Sequence, residues 1–124
     1  MSKRLEVNII LAFKLFLKGV VSSPNYPGNY PHNLRKTEKI EVQEGLVLAL
    51  KFTEFHIQSQ STCDFDHLAI TEADGTILLK RRCGSFMPPP LVSKSNIVII
   101  HFSTNSNGAQ SGWSLSWSAL PKGV

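Results

Sequence analysis

The 124-residue chain lacks any uninterrupted apolar run of the roughly 18 residues that a membrane-spanning helix requires. It has only two cysteines, too few for a closed all-cysteine zinc site, and their separation is not that of a C-x-x-C redox pair. Its four histidines show no metal-ligand spacing. The sequence also has no G-x-S-x-G elbow, no H-E-x-x-H pair and no glycine-rich phosphate loop. With no local catalytic signature, we expect a protein that is not an enzyme.

A strong charge of one sign is missing as well. The net charge is +4, and +3 of it arises in the first 18 residues, where four basic residues face one acidic residue. The remaining chain carries +1, so it lacks the electrostatic footprint of a nucleic-acid-binding protein. The one dense basic run, Lys80-Arg81-Arg82, is interpreted as a solvated face.

Residues 1–18, MSKRLEVNIILAFKLFLK, are set apart as a leader by a basic start followed by an apolar run. One interpretation is a secretory signal with cleavage after Gly19. A second is a leader from a truncated or mis-joined gene, and a third is a short amphipathic helix packed on the domain. Lys14 interrupts the apolar run, and the sequence leaves the three alternatives open.

The remaining chain is typical of a single all-β domain. Leu46, Leu48, Leu50 and Phe52 recur with a period of two residues, as in a half-buried strand. Asp74-Gly75 predicts a hairpin turn. Short strands separated by frequent turns favour a β-sandwich. Strands are predicted over 39–42, 46–52, 68–70, 77–79, 97–102 and 113–117.

Two small groups of residues carry candidate chemistry. Cys63 and Cys83 are most simply interpreted as one disulfide of a secreted domain, with two free thiols as the alternative. Asp64 and Asp66, together with Asn105, offer oxygen ligands of the kind Ca²⁺ prefers. The spacing of these polar residues favours turn capping over a calcium site.

The order of several short motifs resembles that of a CUB domain over about residues 19–119. Each motif is weak alone, and the ordered set is specific. The motifs are Ser23-Pro24-Asn25-Tyr26-Pro27, Tyr30-Pro31, Glu44-Gly45, Phe55 and Ile57, Cys63-x-x-Asp66, Asp74-Gly75, Cys83-Gly84, Ser95-Asn96, Phe102 and Gly112-Trp113.

The resemblance implies a jelly-roll sandwich of antiparallel strands in a secreted protein, with residues 120–124 as a tail. It implies that Cys63 and Cys83 form the second disulfide of the family. It also implies a non-catalytic module that binds an extracellular protein and belongs to, or derives from, a multidomain secreted protease or receptor. The alternatives are a stand-alone secreted carbohydrate-binding protein and a regulatory fragment of a complement-type protease.

The sequence departs from the family pattern near its start. The leading Cys-Gly-Gly is absent, and Lys18-Gly19 precedes the first strand. Lys36 replaces the partner cysteine of the first disulfide, and Glu38 replaces a tryptophan two positions later. A buried tryptophan is a large hydrophobic contribution, so its loss indicates a truncated or diverged module.

The resemblance also implies a calcium site and a nearby ligand surface. Its three metal positions fall on Gln58, Asp66 and Asn105, and its ligand-binding surface on Tyr30 and Gln58. Two of the three family carboxylates are therefore neutral amides. Because fewer charges weaken Ca²⁺ binding, we expect no cofactor, or a weak site of ~10⁻⁴–10⁻³ M.

Overall fold

A computed structural model describes residues 17–123, and the predicted leader falls almost wholly outside them. The described chain contains eight strands and no helix. The described residues therefore include no helix that is long and apolar enough to cross a membrane. The strands are β1 (Lys18–Ser22), β2 (Arg35–Glu41), β3 (Leu46–His56), β4 (His67–Glu72), β5 (Ile77–Arg82), β6 (Leu91–Val92), β7 (Ile97–Ser103) and β8 (Gly112–Pro121).

The strands form two four-stranded sheets in the orders β1-β8-β3-β6 and β2-β7-β4-β5, and every pairing is antiparallel. This alternation of strands between two sheets is jelly-roll topology. The predicted all-β, jelly-roll sandwich is confirmed. The Asp74-Gly75 turn also forms, and Gly75 adopts φ 90° between β4 and β5.

The core lies between the sheets and follows the alternation seen in the sequence. Leu48, Leu50 and Phe52 of β3 are all buried. The register of β3 against β8 then shifts between Phe52 and Glu54, which marks a β-bulge. Because the bulge reverses the order of inward and outward positions, Phe55 and Ile57 also point into the core.

At the β1 edge of the first sheet, β1 and the Trp117 side chain of β8 approach each other closely. A Cβ atom on Gly19 would lie 2.7 Å from atoms of the Trp117 indole, so only glycine lets the ring lie over this strand. Lys18 and Gly19 both belong to β1. Signal cleavage after Gly19 would therefore shorten β1 by two residues.

Strand β2 is longer than predicted. Charged residues lie on both faces of its first half, so this part of the strand shows no hydrophobic alternation. It begins at Arg35, whereas the hydrophobic pattern indicated a strand from residue 39. Lys36 and Glu38 lie directly opposite Phe102 and Ile100 of β7, on the inward-facing side. Because β2 is an edge strand, both side chains reach water. The Lys36 side chain is 45% exposed and the Glu38 side chain is 40% exposed.

A disulfide fixes one end of the sandwich. Cys63 and Cys83 are joined, with their Cα atoms 5.5 Å apart. The bond connects the loop before β4 to the residue after β5. The predicted pairing is confirmed, and the loops that carry the candidate site lie at this end.

Candidate functional site

Tyr30 and Asp66 form the buried centre of the site. The Tyr30 hydroxyl donates a 2.6 Å hydrogen bond to Oδ2 of Asp66, and both side chains are almost fully buried. The Tyr30 ring packs edge-on against Phe102, with centroids 5.1 Å apart. Burial, reinforced by the bond to Asp66, raises the pKa of the Tyr30 hydroxyl far above its usual value. The hydroxyl therefore stays protonated and remains a donor.

The second oxygen of Asp66 is held by the loop after β7. The backbone N–H of Asn105 donates to Asp66 Oδ1 at 2.8 Å. The Asn105 side-chain oxygen accepts a 3.1 Å bond from the backbone N–H of Asn107, which closes an Asx turn. Within residues 17–123, no cationic side chain forms an ion pair with Asp66. Its charge is stabilised by hydrogen-bond donors.

Gln58 enters the site from the segment that follows β3. Its backbone N–H donates a 3.0 Å bond to the Tyr30 hydroxyl oxygen. Its side-chain Oε1 is buried and has no hydrogen-bond partner in the described chain. The amide lies against the backbone of Gly108, where φ is 70° and a Cβ atom would collide with it. Glycine at this position leaves space for the Gln58 side chain.

The structure brings four predicted residues together. We call Tyr30, Gln58, Asp66 and Asn105 the Asp66 cluster. Tyr30 is only 2% exposed, so it acts through its bonds to Asp66 and Gln58 and does not present its ring to a ligand. Asp64 lies outside the cluster, because its carboxylate accepts a 3.0 Å bond from Arg81 on the exposed surface.

The cluster contains oxygen donors and a single negative charge. No group of three or more His, Cys, Asp or Glu side chains in the described chain is placed to hold a metal. The side-chain oxygens of Gln58, Asp66 and Asn105 are chemically suited to a hard cation such as Ca²⁺. The unpartnered Gln58 Oε1 fits such a role, although only Asp66 contributes charge.

Sequence reasoning missed a second polar surface beside the cluster. Arg35 and Arg81 line one open cavity of about 810 Å³, together with the 57% exposed Phe65. Arg81 belongs to the basic run that we interpreted as a solvated face. Its position opposite Arg35 depends on strand register, which residue spacing alone does not reveal.

Together, the two sheets, the disulfide and the oxygen-lined cluster define a jelly-roll β-sandwich module with its polar site at one end. Residues 15–117 match the sequence profile of the CUB domain. The chain belongs to the CUB domain family.

Several larger proteins contain similar sequence. The chain is 33% identical to human cubilin over 102 residues, which cover 82% of this chain and 3% of cubilin. It is 32% identical to human tolloid-like protein 1 over 97 residues, covering 77% of the chain and 10% of that protein. It is 36% identical to mouse membrane frizzled-related protein over 107 residues, covering 84% of the chain and 18% of that protein. The chain thus spans a small part of each relative.

Solved structures share the fold. The MASP-1 CUB2 domain bound to Ca²⁺ is 28% identical, with a TM-score of 0.72 over 82% of this chain and 91% of that domain. The CUB1-EGF-CUB2 domain of human MASP-1/3 has a TM-score of 0.76 at 23% identity, covering 85% of this chain and 42% of that one. The second likeness concerns the fold alone.

Proposed function

We propose that this chain is a non-catalytic extracellular module that binds a protein ligand at the end of the sandwich formed by the Asp66 cluster. Its family membership supports the class of function. The observation that carries the site is the hydrogen-bonded connection of three segments at the buried Asp66 carboxylate: the Asn105 backbone N–H donates to it directly, and the Gln58 backbone N–H donates to the Tyr30 hydroxyl that is bonded to it. The Cys63–Cys83 disulfide supports an oxidising, extracellular environment.

The site works as a rigid platform for the surrounding loops. Asp66 connects the Tyr30 turn to the loop after β7 through two hydrogen bonds of 2.6 and 2.8 Å. Loops held in this way lose little conformational entropy when a partner binds, and this preorganisation favours affinity. Ser59 and Asn107 lie at exposed positions next to Gln58 and Asn105, where a partner can reach them.

A multidomain context is part of the proposal. The similar relatives are far longer than this chain, which corresponds to 3% of cubilin and 10% of tolloid-like protein 1. These proportions support a module that belongs to, or derives from, a multidomain secreted protease or receptor. The domain limits 19–119 and the tail 120–124 are part of the same proposal, and the strand bounds support a slightly wider domain of 18–121, because β1 begins at Lys18 and β8 pairs with β3 through Pro121.

Calcium is a weak component of the proposed site. The MASP-1 CUB2 structure contains Ca²⁺. In this chain, Gln58, Asp66 and Asn105 are the side chains that would hold the ion, which would supply positive charge between the loops. Because two of the three are neutral amides, we expect an affinity no tighter than ~10⁻⁴–10⁻³ M.

A binding screen with matched variants tests the protein-binding function. The folded chain, made multivalent on streptavidin, is screened against arrayed extracellular proteins, and positives are measured by surface plasmon resonance. We expect saturable binding that Ser59→Arg/Asn107→Arg weakens by about tenfold or more, since charged side chains would obstruct the cluster rim. The control Gln43→Arg/Glu44→Gln changes net charge equally at the opposite end. Absence of a ligand, or equal loss in the control, would contradict the proposal.

A further inference from the structure

The outer face of the second sheet carries a cationic groove beside the Asp66 cluster. Arg35, Ser103 and His67 are direct neighbours across β2, β7 and β4. Arg81 lines the same cavity from β5, beyond His67. Adjacent strands are about 4.8 Å apart, so the two arginines stand on opposite sides of a shallow floor formed by Ser103 and His67. We call this the Arg35–Arg81 groove.

The arginines are available to an incoming anion. Arg35 is exposed and forms no ion pair within residues 17–123. Arg81 pairs with Asp64 at 3.0 Å, but these side chains are 58% and 59% exposed. Exposed ion pairs contribute little to stability, so an anion can displace Asp64 at little cost. The two guanidinium groups are permanently charged and are the cations of the groove.

The rest of the lining suits a hydroxyl-rich ligand. Asn33, Ser103 and Ser106 contribute amide and hydroxyl groups. Phe65 is 57% exposed at the rim and offers a flat apolar surface for one face of a ring. It is the only large apolar side chain in the lining of this groove. The nearly neutral domain does not provide the extended basic surface that nucleic acids require.

We propose that the Arg35–Arg81 groove binds sulfated glycan chains. The guanidinium groups would hold sulfate oxygens through charge-assisted, two-pronged hydrogen bonds. The polar side chains would bond to sugar hydroxyls, and Phe65 would cover one ring face. The proposal does not depend on protein binding at the Asp66 cluster, because only Asn105 is shared between the cluster and the groove lining.

Titration calorimetry with a sulfated heparin hexasaccharide at physiological ionic strength tests this proposal. We expect Arg35→Gln/Arg81→Gln to weaken binding by about tenfold or more. Lys51→Gln/Lys122→Gln removes the same charge outside the groove and should change affinity by no more than about twofold. Arg35→Lys/Arg81→Lys keeps the charge but loses the fork geometry, and should give an intermediate loss. If the double glutamine variant does not fold, the exposed Arg35→Gln alone should still weaken binding.

Two further ligands separate the sources of affinity. The desulfated hexasaccharide should bind much more weakly than the sulfated form, and a glutamate hexapeptide should not match it. The proposal is overturned if the wild type does not bind the sulfated sugar, if both charge-removing variants lose affinity equally, or if desulfation has no effect. Tighter binding of the glutamate peptide would identify an acidic peptide as the ligand instead. None of these results bears on the Ser59→Arg/Asn107→Arg test of protein binding.

Discussion

At the scale of single residues, Tyr30 connects the core to the candidate site. Its ring packs against Phe102, while its hydroxyl donates to Asp66 and accepts from the Gln58 backbone. A phenylalanine would keep the ring contacts but leave a buried carboxylate oxygen and a backbone N–H without a partner. The tyrosine is therefore required for its hydroxyl as well as for its bulk.

Tyr30→Phe is expected to lower the free energy of unfolding by about 1–3 kcal/mol, the cost of leaving buried polar groups unsatisfied. Urea denaturation monitored by tryptophan fluorescence measures this change. Tyr26→Phe is the matched control, because the Tyr26 hydroxyl makes no such bond to Asp66. Its effect should stay within about 0.5 kcal/mol. Equal effects of the two substitutions would show that the Tyr30 hydroxyl contributes no specific stability.

Some site residues were predictable from the sequence and others were not. The resemblance placed Tyr30, Gln58, Asp66 and Asn105 together, and the structure brings them into one cluster. It did not indicate that the Gln58 Oε1 would be buried without a partner. It also did not indicate Arg35 as a candidate binding residue. A single exposed arginine suggests a site only when the fold brings it to the same cavity as a second one, here Arg81.

At the scale of secondary-structure elements, the edge strand β2 explains how the chain tolerates its departures from the family pattern. Lys36 and Glu38 occupy inward-facing positions, where the CUB resemblance implies a cysteine and a tryptophan. They form a 3.8 Å ion pair that stays partly exposed at the edge. Such a pair stabilises little, although the side chains opposite it, Ile100 and Phe102, are buried.

Glu38→Trp is expected to stabilise the domain by about 0.5–2 kcal/mol, because an indole in place of the 40% exposed Glu38 side chain would bury its own apolar surface against the sheet edge. Differential scanning calorimetry measures the change. Lys39→Trp places the same side chain on the outward face of the same strand and should give no gain. If the two variants behave alike, or if Glu38→Trp lowers the melting temperature, the inward-facing position of residue 38 offers an indole no stabilising apolar contact.

The disulfide acts on the loops at the site end. Cys63 and Cys83 are separated by 20 positions, and closing a loop of this size stabilises by ~3 kcal/mol in the chain-entropy model. We expect Cys63→Ala/Cys83→Ala to lose about this amount in urea denaturation. Mass spectrometry of the unreduced wild type should show two hydrogens fewer than the reduced protein. Two alkylatable thiols in oxidatively folded protein would contradict the bond.

Element boundaries show why the sequence predicts some strands better than others. The period-two pattern located β3, but the bulge after Phe52 placed Phe55 and Ile57 in the core out of phase with it. The start of β2 was missed because charged residues occupy both of its faces. The two-residue β6 is too short to produce a periodic pattern.

At the scale of the whole molecule, the domain has a two-sheet frame and a candidate site in which Asp66 is the one acidic residue. The two sheets and the core depend on alternating apolar residues, which the sequence makes visible. The proposed function depends on a few side chains at one end, where Gln58 and Asn105 stand at positions that the CUB resemblance implies to be acidic. We therefore expect this module to rely less on calcium than members with three carboxylates.

Titration calorimetry with Ca²⁺ tests this claim most directly. The wild type should bind no tighter than ~10⁻⁴–10⁻³ M, because Asp66 alone supplies charge. Gln58→Glu/Asn105→Asp should bind at least about tenfold more tightly, since it restores two carboxylates around Asp66. Gln43→Glu/Lys122→Gln lowers the net charge equally at the far end and should leave the affinity unchanged. Tight binding by the wild type would show that the ligands lie elsewhere, and no gain in Gln58→Glu/Asn105→Asp would contradict the site itself.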